Sequence, residues 1–174
     1  SAQDGANAMH EFWSIPEYGG RDGDVSIQAK HLALYAPTDA RRALFYTGAG
    51  ATRSGKWQQQ FKVLPIIRLA ELYLTRAESN FRAGTVIGAT PLADVNRIRA
   101  RVGLLPLVTV TLNDILNERK LELAHEGHAV ADLKRLRRSA DGFAYNANKM
   151  VFPIPQREVD ASNGVVKQND GYKS

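Results

Sequence analysis

Acidic and basic side chains recur at helical spacing between Thr111 and Arg138. The carboxylates that follow each other every four residues are Glu118, Glu122 and Glu126. On a helix they form one stripe, in which like charges repel by roughly a few tenths of a kcal/mol per pair. The arginines within reach, on this helix or on the preceding one, are Arg97, Arg101 and Arg119. The pattern therefore predicts a network of ion pairs between helices.

Two spacings in the same stretch are close to those of metal sites. Glu122 and His125 have the Glu-x-x-His spacing of di-iron proteins, but such a site needs two of these motifs and two further glutamates. His125 and His128 are three residues apart, whereas the zinc-protease motif separates its histidines by four. We therefore expect a polar helix face here, with no metal and no cofactor.

A catalytic set of residues is not recognisable in the sequence. It holds no G-x-S-x-G nucleophile elbow, and local context suggests no Ser-His-Asp or Cys-His arrangement. Glu71 and Glu78 could be the paired carboxylates of a glycosidase, but each has an arginine nearby, Arg68 and Arg82, with which to form a salt bridge. We expect a protein that is not an enzyme.

Aromatic residues beside predicted loops could instead form a carbohydrate site. The candidates are Trp13, Tyr18 and Trp57, whose flat rings suit the C–H face of a pyranose. Polar neighbours that could bind hydroxyl groups are Arg21, Asp22, Gln58 and Gln59. Each ring could equally pack in the core or against a further part of the protein, and Trp57 is the one most expected to be structural.

Three helices are predicted to form the core between residues 61 and 138. The first runs from about Pro65 to Ala83, ends before Gly84, and has an apolar face formed by Ile66, Leu69, Ala70, Tyr73, Ala77 and Phe81. The second has Thr90 as its cap and Pro91 at its first position, and buries Leu92, Val95 and Ile98. The third begins at a capping box of Thr111 and Asp114 and continues to Arg138, with a kink allowed at Gly127.

The segments on either side of the core are predicted to be irregular. Residues 1–60 are rich in loops, with extended pieces at 12–15 and 43–46 and a loop at 48–55. Residues 139–174 form an extended strap with turns at 141–142 and 163–164 and one helical turn at 156–161. In this strap Phe152 and Ile154 are expected to pack onto the helices, and side chains are expected to hold the C-terminal residues. Together the three segments are expected to make one domain of 174 residues.

The composition adds one further class of partner to consider. A net charge of +5 and a pI near 9.6 suggest nucleic acid. However, the basic residues Lys134, Arg135, Arg137 and Arg138 also complement a helix C-terminus, and no aromatic rings interleave with them as stacking platforms would. We therefore expect no nucleic-acid partner. The chain has no cysteine and no stretch long and apolar enough to span a membrane.

Five segments resemble, in the same order, motifs of the SusD/RagB family of outer-membrane nutrient-binding lipoproteins. They are LPIIRLAELYLTRAESNFRAG (64–84), LADVNRIRARVGL (92–104), ERKLELAHEGHAVADLKRL (118–136), FPIP (152–155) and KQNDGY (167–172). Asp39 to Arg42 is also similar to the family's D-x-R-R stretch. Agreement of five segments over about 110 residues is hard to attribute to chance.

This resemblance implies a mostly α fold of tetratricopeptide-like helix pairs, with long irregular loops and few or no short strands. It also implies that an oligosaccharide or another nutrient is captured at the surface of the outer membrane and delivered to a TonB-dependent transporter. Family members are much longer and carry an N-terminal lipidated cysteine, so we expect this chain to be the C-terminal portion of such a protein. The alternative is a helical-repeat module that binds another protein and has no ligand site of its own.

Overall fold

The structure, a computed structural model, describes residues 7–140 and 142–173. It is mostly helical, as predicted, and the α-helices are α1 (Ala8–Trp13), α2 (Ala29–Leu32), α3 (Leu69–Ala83), α4 (Pro91–Arg101), α5 (Leu112–Glu122), α6 (His128–Arg135) and α7 (Gln156–Ala161). Two short strands, β1 (Phe45–Gly48) and β2 (Ala51–Ser54), pair antiparallel. The chain forms two compact units, one up to His125 and one from Glu126 onwards. The single domain over residues 1–174 stays a prediction.

Helices α3, α4 and α5 pack together around the main apolar core. Its fully or almost fully buried members are Leu74, Ala77, Val95, Ile98 and Ile115. Full burial of a valine, leucine or isoleucine side chain stabilises the fold by about 1.5–3 kcal/mol. The predicted caps are confirmed: Thr90 accepts a hydrogen bond from the Ala93 amide, and Thr111 and Asp114 form the capping box. The sequence therefore located α4 and the start of α5 correctly.

Helix α3 begins four residues later than predicted, at Leu69 instead of Pro65. The residue before it, Arg68, is extended, with φ −114° and ψ 147°, and its guanidinium binds Glu122. This long-range contact keeps Arg68 out of the helix. The predicted apolar face is also partly wrong, since three of its six members are exposed: Ile66, Leu69 and Phe81.

The long helix predicted from Thr111 to Arg138 is also wrong, because α5 ends at Glu122. His125 and Gly127 both have left-handed backbones, with φ of 65° and 85°, which no helix can continue through. A separate helix, α6, begins at His128. Gly127 was predicted to allow a kink, and it instead lies in a full break of the helix.

Side chains from the loop-rich segment bind the carbonyl groups at the end of α5. Tyr35 donates to the Leu121 carbonyl at 3.0 Å, and the Trp57 indole donates to the His125 carbonyl at 2.8 Å. Lys56 Nζ donates to the carbonyls of Glu122 and Ala124 at 2.8 and 2.9 Å. A helix end leaves such carbonyls without partners in the helix, so these donors fix where α5 ends.

The segment before the core is more regular than predicted. Residues 12–15 were expected to form a strand, but Ala8–Trp13 is the helix α1, capped by Asn7, whose side chain accepts from the His10 amide at 2.8 Å. The expected loop at 48–55 contains β2. Ala49 and Gly50 both have positive φ, which is the geometry of the tight turns that favour hairpins.

In the unit from Glu126 onwards, the C-terminal residues are held by side chains, as predicted, and these side chains bind the backbone at the FPIP segment. Gln168 donates to the Ile154 carbonyl and accepts from the Ile154 amide, both at 2.8 Å. Asn169 donates to the Phe152 carbonyl, and Tyr172 donates to the Val151 carbonyl, both at 2.7 Å. The predicted packing of the Phe152 side chain is wrong, since it is 89% exposed. The helical turn at Gln156–Ala161 is confirmed, and the predicted turn at 141–142 lies partly outside the described residues.

Candidate functional site

The predicted ion-pair network exists and is centred on two buried carboxylates of α5. Glu118 binds Arg41 at 2.7 Å and Arg99 at 3.4 Å. Glu122 binds Arg68 at 2.9 Å and Arg101 at 2.5 Å, with Arg41 at 3.4 Å. Both carboxylates are less than 5% exposed, so these guanidiniums offset the cost of removing two charges from water.

The partners in this network differ in part from those predicted. Arg101 binds Glu122 as expected, but Arg97 donates to the Tyr73 hydroxyl at 2.7 Å, and Arg119 lies 3.7 Å from Glu71. The prediction, which was based on spacing along the helices, did not include Arg41 and Arg68 as partners of these carboxylates, because both come from distant segments of the chain. The D-x-R-R stretch was the available signal for Arg41.

Asp39 and Arg41 form a buried pair at the edge of this network. The carboxylate accepts from Nε at 2.9 Å and from Nη2 at 2.7 Å. Burial by itself would raise the pKa of Asp39, but the hydrogen bonds from the Arg41 side chain and backbone outweigh it and lower that pKa. Burial disfavours the charged Arg41, and its bonds to Asp39 together with the charge of Glu118 nevertheless raise its pKa. Both groups therefore stay charged and rigidly placed.

Next to the end of α5 lies an aromatic cluster, which we define as Trp13, His31, Tyr35, Phe45 and His125. The His125 ring is 4.9 Å from Trp13, 5.0 Å from His31 and 5.9 Å from Phe45, measured between ring centres. Tyr35 is buried, whereas the other four rings are partly exposed. The donors at the end of α5 hold the backbone of His125, the ring that contacts three other members of the cluster.

The contact between His31 and Tyr35 bears on the protonation of both side chains in the aromatic cluster. The Tyr35 hydroxyl donates its proton to the Leu121 carbonyl, so at 3.3 Å from His31 Nε2 it can only accept. His31 therefore carries its proton on Nε2. Burial, with the charges of Lys120 and Lys56, lowers the pKa of His31. Burial also raises the pKa of Tyr35 to about 12. Both shifts favour the uncharged forms of His31 and Tyr35.

The three predicted ligand-binding residues lie in three different surroundings in the structure. Trp13 belongs to the aromatic cluster and is partly exposed. Tyr18 is 46% exposed and packs edge-on against Tyr46, on the face of β1 opposite to Phe45, because successive strand side chains point to opposite faces. Trp57 is 4% exposed, and its burial argues against direct contact with a ligand. Ligand binding by any of the three stays a prediction.

Two further polar residues singled out by the sequence, Glu78 and Arg135, form ion pairs. Glu78 binds Arg82 at 2.8 Å, and Arg135 binds Asp132 at 2.7 Å. Within residues 7–140 and 142–173, no group of three or more His, Asp or Glu side chains is placed to hold a metal ion. None of the helices in that part of the chain combines the length and apolar composition of a membrane-spanning helix.

Comparison with known proteins connects this arrangement to one family. A model of the SusD family matches residues 45–150, more than half of the chain. The starch-binding protein SusD of Bacteroides thetaiotaomicron is 33% identical to it, over 87% of this chain and 34% of that protein. The chain thus spans about a third of the length of this curated relative.

Solved structures share the fold. A SusD superfamily protein from Parabacteroides distasonis matches with a TM-score of 0.73 and 18% identity, over 95% of this chain and 46% of that one. Surface glycan-binding protein A from Bacteroides uniformis matches with a TM-score of 0.71 and 24% identity, over 87% of this chain and 42% of that one. The mostly helical fold of this chain is therefore shared with the matching parts of these proteins.

Proposed function

The chain belongs to the SusD family, and we propose that it contributes to glycan binding at the bacterial outer membrane without catalysing a reaction. Its curated relative is a starch-binding protein, which supports an oligosaccharide as the ligand. Because the chain spans about a third of that relative, the activity of the longer protein is part of the proposal.

The observation that carries this proposal is the partly exposed aromatic cluster. Its Trp13 ring lies against His125, and the left-handed backbone of His125 is held by the Trp57 indole. An aromatic face that is fixed in place can stack on the apolar face of a sugar with little loss of side-chain entropy. Polar groups beside it, the two histidine rings among them, suit the hydroxyl groups of a sugar. Trp13 is therefore the residue we expect to contact the glycan.

Delivery is the second part of the proposal. We propose that the longer protein is anchored by a lipid at the cell surface and passes its ligand to a TonB-dependent transporter. The family assignment supports this part, and the chain's own residues supply no separate argument for it.

Calorimetry with starch oligosaccharides and with other neutral oligosaccharides tests the binding step. We expect saturable binding by the 174-residue chain, and a loss of about two- to tenfold in Trp13→Ala, since an aromatic contact contributes about 0.5–1.5 kcal/mol beyond the area that it buries. Phe81→Ala is the matched control, because Phe81 is a 39% exposed ring on α3 that belongs neither to the aromatic cluster nor to the predicted ligand-binding residues. Equal losses in both variants, or no binding by the parent chain, would contradict the assignment of Trp13.

Protein binding alone is the second candidate, and an exposed apolar stretch favours it. Val63 and Ile66 are 86% and 85% exposed, and Ile67 is 67% exposed. Contiguous exposed apolar residues usually mark a protein contact. If Ile66→Glu abolishes binding to an isolated transporter while no oligosaccharide binds the chain, the second candidate replaces the first.

A further inference from the structure

A cleft of about 330 Å³ lies between α3, α4 and the loop that joins them, and no function is yet assigned to it. Its lining residues are Tyr73, Arg76, Gly88, Ala89, Ala93, Asp94 and Arg97. Two guanidiniums and one carboxylate face it, so the cleft carries one positive charge in excess. Volumes of this size are at the lower end of those that hold small ligands.

The donors in this cleft are only partly used by the protein. Arg76 donates to the Asp94 carboxylate through Nε at 2.8 Å and through Nη2 at 2.6 Å. Its third nitrogen, Nη1, lies next to Gly88 of the loop. Among the described residues, Arg97 has one hydrogen-bond partner, the Tyr73 hydroxyl at 2.7 Å, and that hydroxyl keeps its own proton to donate. Both guanidiniums also lie over the Tyr73 ring, at 5.5 and 5.0 Å from its centre. The free edge of Arg97 has the planar fork that binds a carboxylate with two hydrogen bonds.

The loop that closes the cleft is rigid. The buried Asn80 amide donates to the carbonyls of Ile87 and Ala89, at 3.0 and 2.9 Å, and its carbonyl accepts from Thr85 and from the Ile87 amide. At Gly88, with φ +77°, a Cβ would lie 2.7 Å from Arg76 Nη1. Glycine at this position therefore lets the loop come close to the guanidinium. A cleft with fixed walls loses less entropy on binding than a mobile one.

We propose that this cleft binds the carboxylate of an acidic sugar, a uronic acid residue of a glycan. The carboxylate occupies the free edge of Arg97 and Nη1 of Arg76, and the Tyr73 hydroxyl donates to a sugar oxygen. The proposal rests on the proposed glycan-binding function for its choice of a sugar. It adds the chemical class of sugar and a site separate from the aromatic cluster.

Amide NMR titration of the 174-residue chain with glucuronate, galacturonate, glucose and acetate tests this site. We expect the uronates to shift the Gly88 and Ala89 amides saturably, acetate to do so more weakly, and glucose not at all. Arg97→Gln should weaken uronate binding about tenfold, because a charge-assisted hydrogen bond is lost. Gly88→Ala should weaken it too.

A control variant, Arg82→Gln, and a separate measurement with neutral oligosaccharides make the outcome decisive. Arg82→Gln removes one positive charge from α3 outside the cleft, where the Arg82 side chain is 47% exposed, and should leave uronate binding unchanged. Equal shifts with acetate and uronate, or an equal loss in both arginine variants, would overturn the sugar site. Binding of neutral oligosaccharides through Trp13 is measured separately, so loss of the uronate site leaves the proposed function standing, and loss of both contradicts it.

Discussion

The Oε1 atom of Glu122 lies 2.9 Å from Nη1 of Arg68, although the two residues are 54 positions apart. The same arginine donates through Nη2 to the Glu122 backbone carbonyl at 3.0 Å. One side chain thus joins the start of α3 to the end of α5, both to the carboxylate and to the backbone. This contact helps to set where α3 begins, and it adds one more donor to those that bind the carbonyls at the end of α5.

Replacement of the central carboxylate should be strongly destabilising. Glu122→Gln removes one of the carboxylates that balance the charge of Arg41, whose side chain is 5% exposed. Removal of one partner from a buried ion pair costs about 3–5 kcal/mol. We expect urea unfolding to show a decrease of about 3 kcal/mol in the free energy of unfolding.

Arg101→Gln is the matched control for that measurement. Arg101 binds the same carboxylate, but its side chain is 55% exposed. Exposed pairs contribute about 0–1 kcal/mol. A loss in Arg101→Gln as large as that in Glu122→Gln would show that burial is not what gives the network its strength.

The indole of Trp57 is expected to stabilise the left-handed turn at His125. Trp57→Phe keeps most of the ring and removes the donor to the His125 carbonyl. An unsatisfied buried carbonyl costs about 1–3 kcal/mol. The thermal midpoint should fall accordingly, and hydrogen exchange should become faster for amides at the end of α5. Unchanged exchange there would contradict a role for Trp57 in ending the helix.

Stability should depend on pH through His31. Its pKa is lowered from 6.5 by burial and by the charges of Lys120 and Lys56, so the unfolded chain takes up a proton more readily than the folded one. The free energy of unfolding therefore falls as the pH drops below about 6.5, and the neutral ring is fully tolerated above that pH. Urea unfolding at several pH values should show a shallower dependence in His31→Gln. An NMR titration that gives His31 a pKa above 6.5 would refute this sign.

The C-terminal segment offers a test within one unit. Gln168→Glu keeps an acceptor for the Ile154 amide but loses the donor to the Ile154 carbonyl. We expect faster hydrogen exchange in residues 151–155 and earlier cleavage there by a protease that requires flexible backbone. Gln156→Glu is a suitable control, because Gln156 binds Asp160 in an exposed contact. Similar cleavage rates in both variants would count against the role of Gln168.

The sequence predicted those features whose causes are local. Thr90 and Thr111 cap helices through residues three positions away, and Val95 and Ile98 are buried at helical spacing. Each of these depends on neighbours that a short window of sequence contains. The family was indicated in another way, by five motifs in order over about 110 residues.

Features with distant causes were not predictable in the same way. The end of α5 depends on donors from Tyr35, Lys56 and Trp57, and the sequence of residues 111–138 contains no pattern that would identify them. The start of α3 depends on Arg68 reaching Glu122. In the candidate site, Trp13 was identified by its type, but its histidine neighbours come from 18 and 112 positions later, beyond any periodic pattern.

The donors that bind the end of α5 affect how the protein assembles and how far it can be shortened. Tyr35, Lys56 and Trp57 reach carbonyls that are 66 to 86 positions later in the chain, so this part of the structure closes only after large loops have formed. Such long-range closure slows folding. A minimal version that started at Leu69 would keep the three-helix core and its caps, yet its last helical turn would fray and the aromatic cluster would be lost.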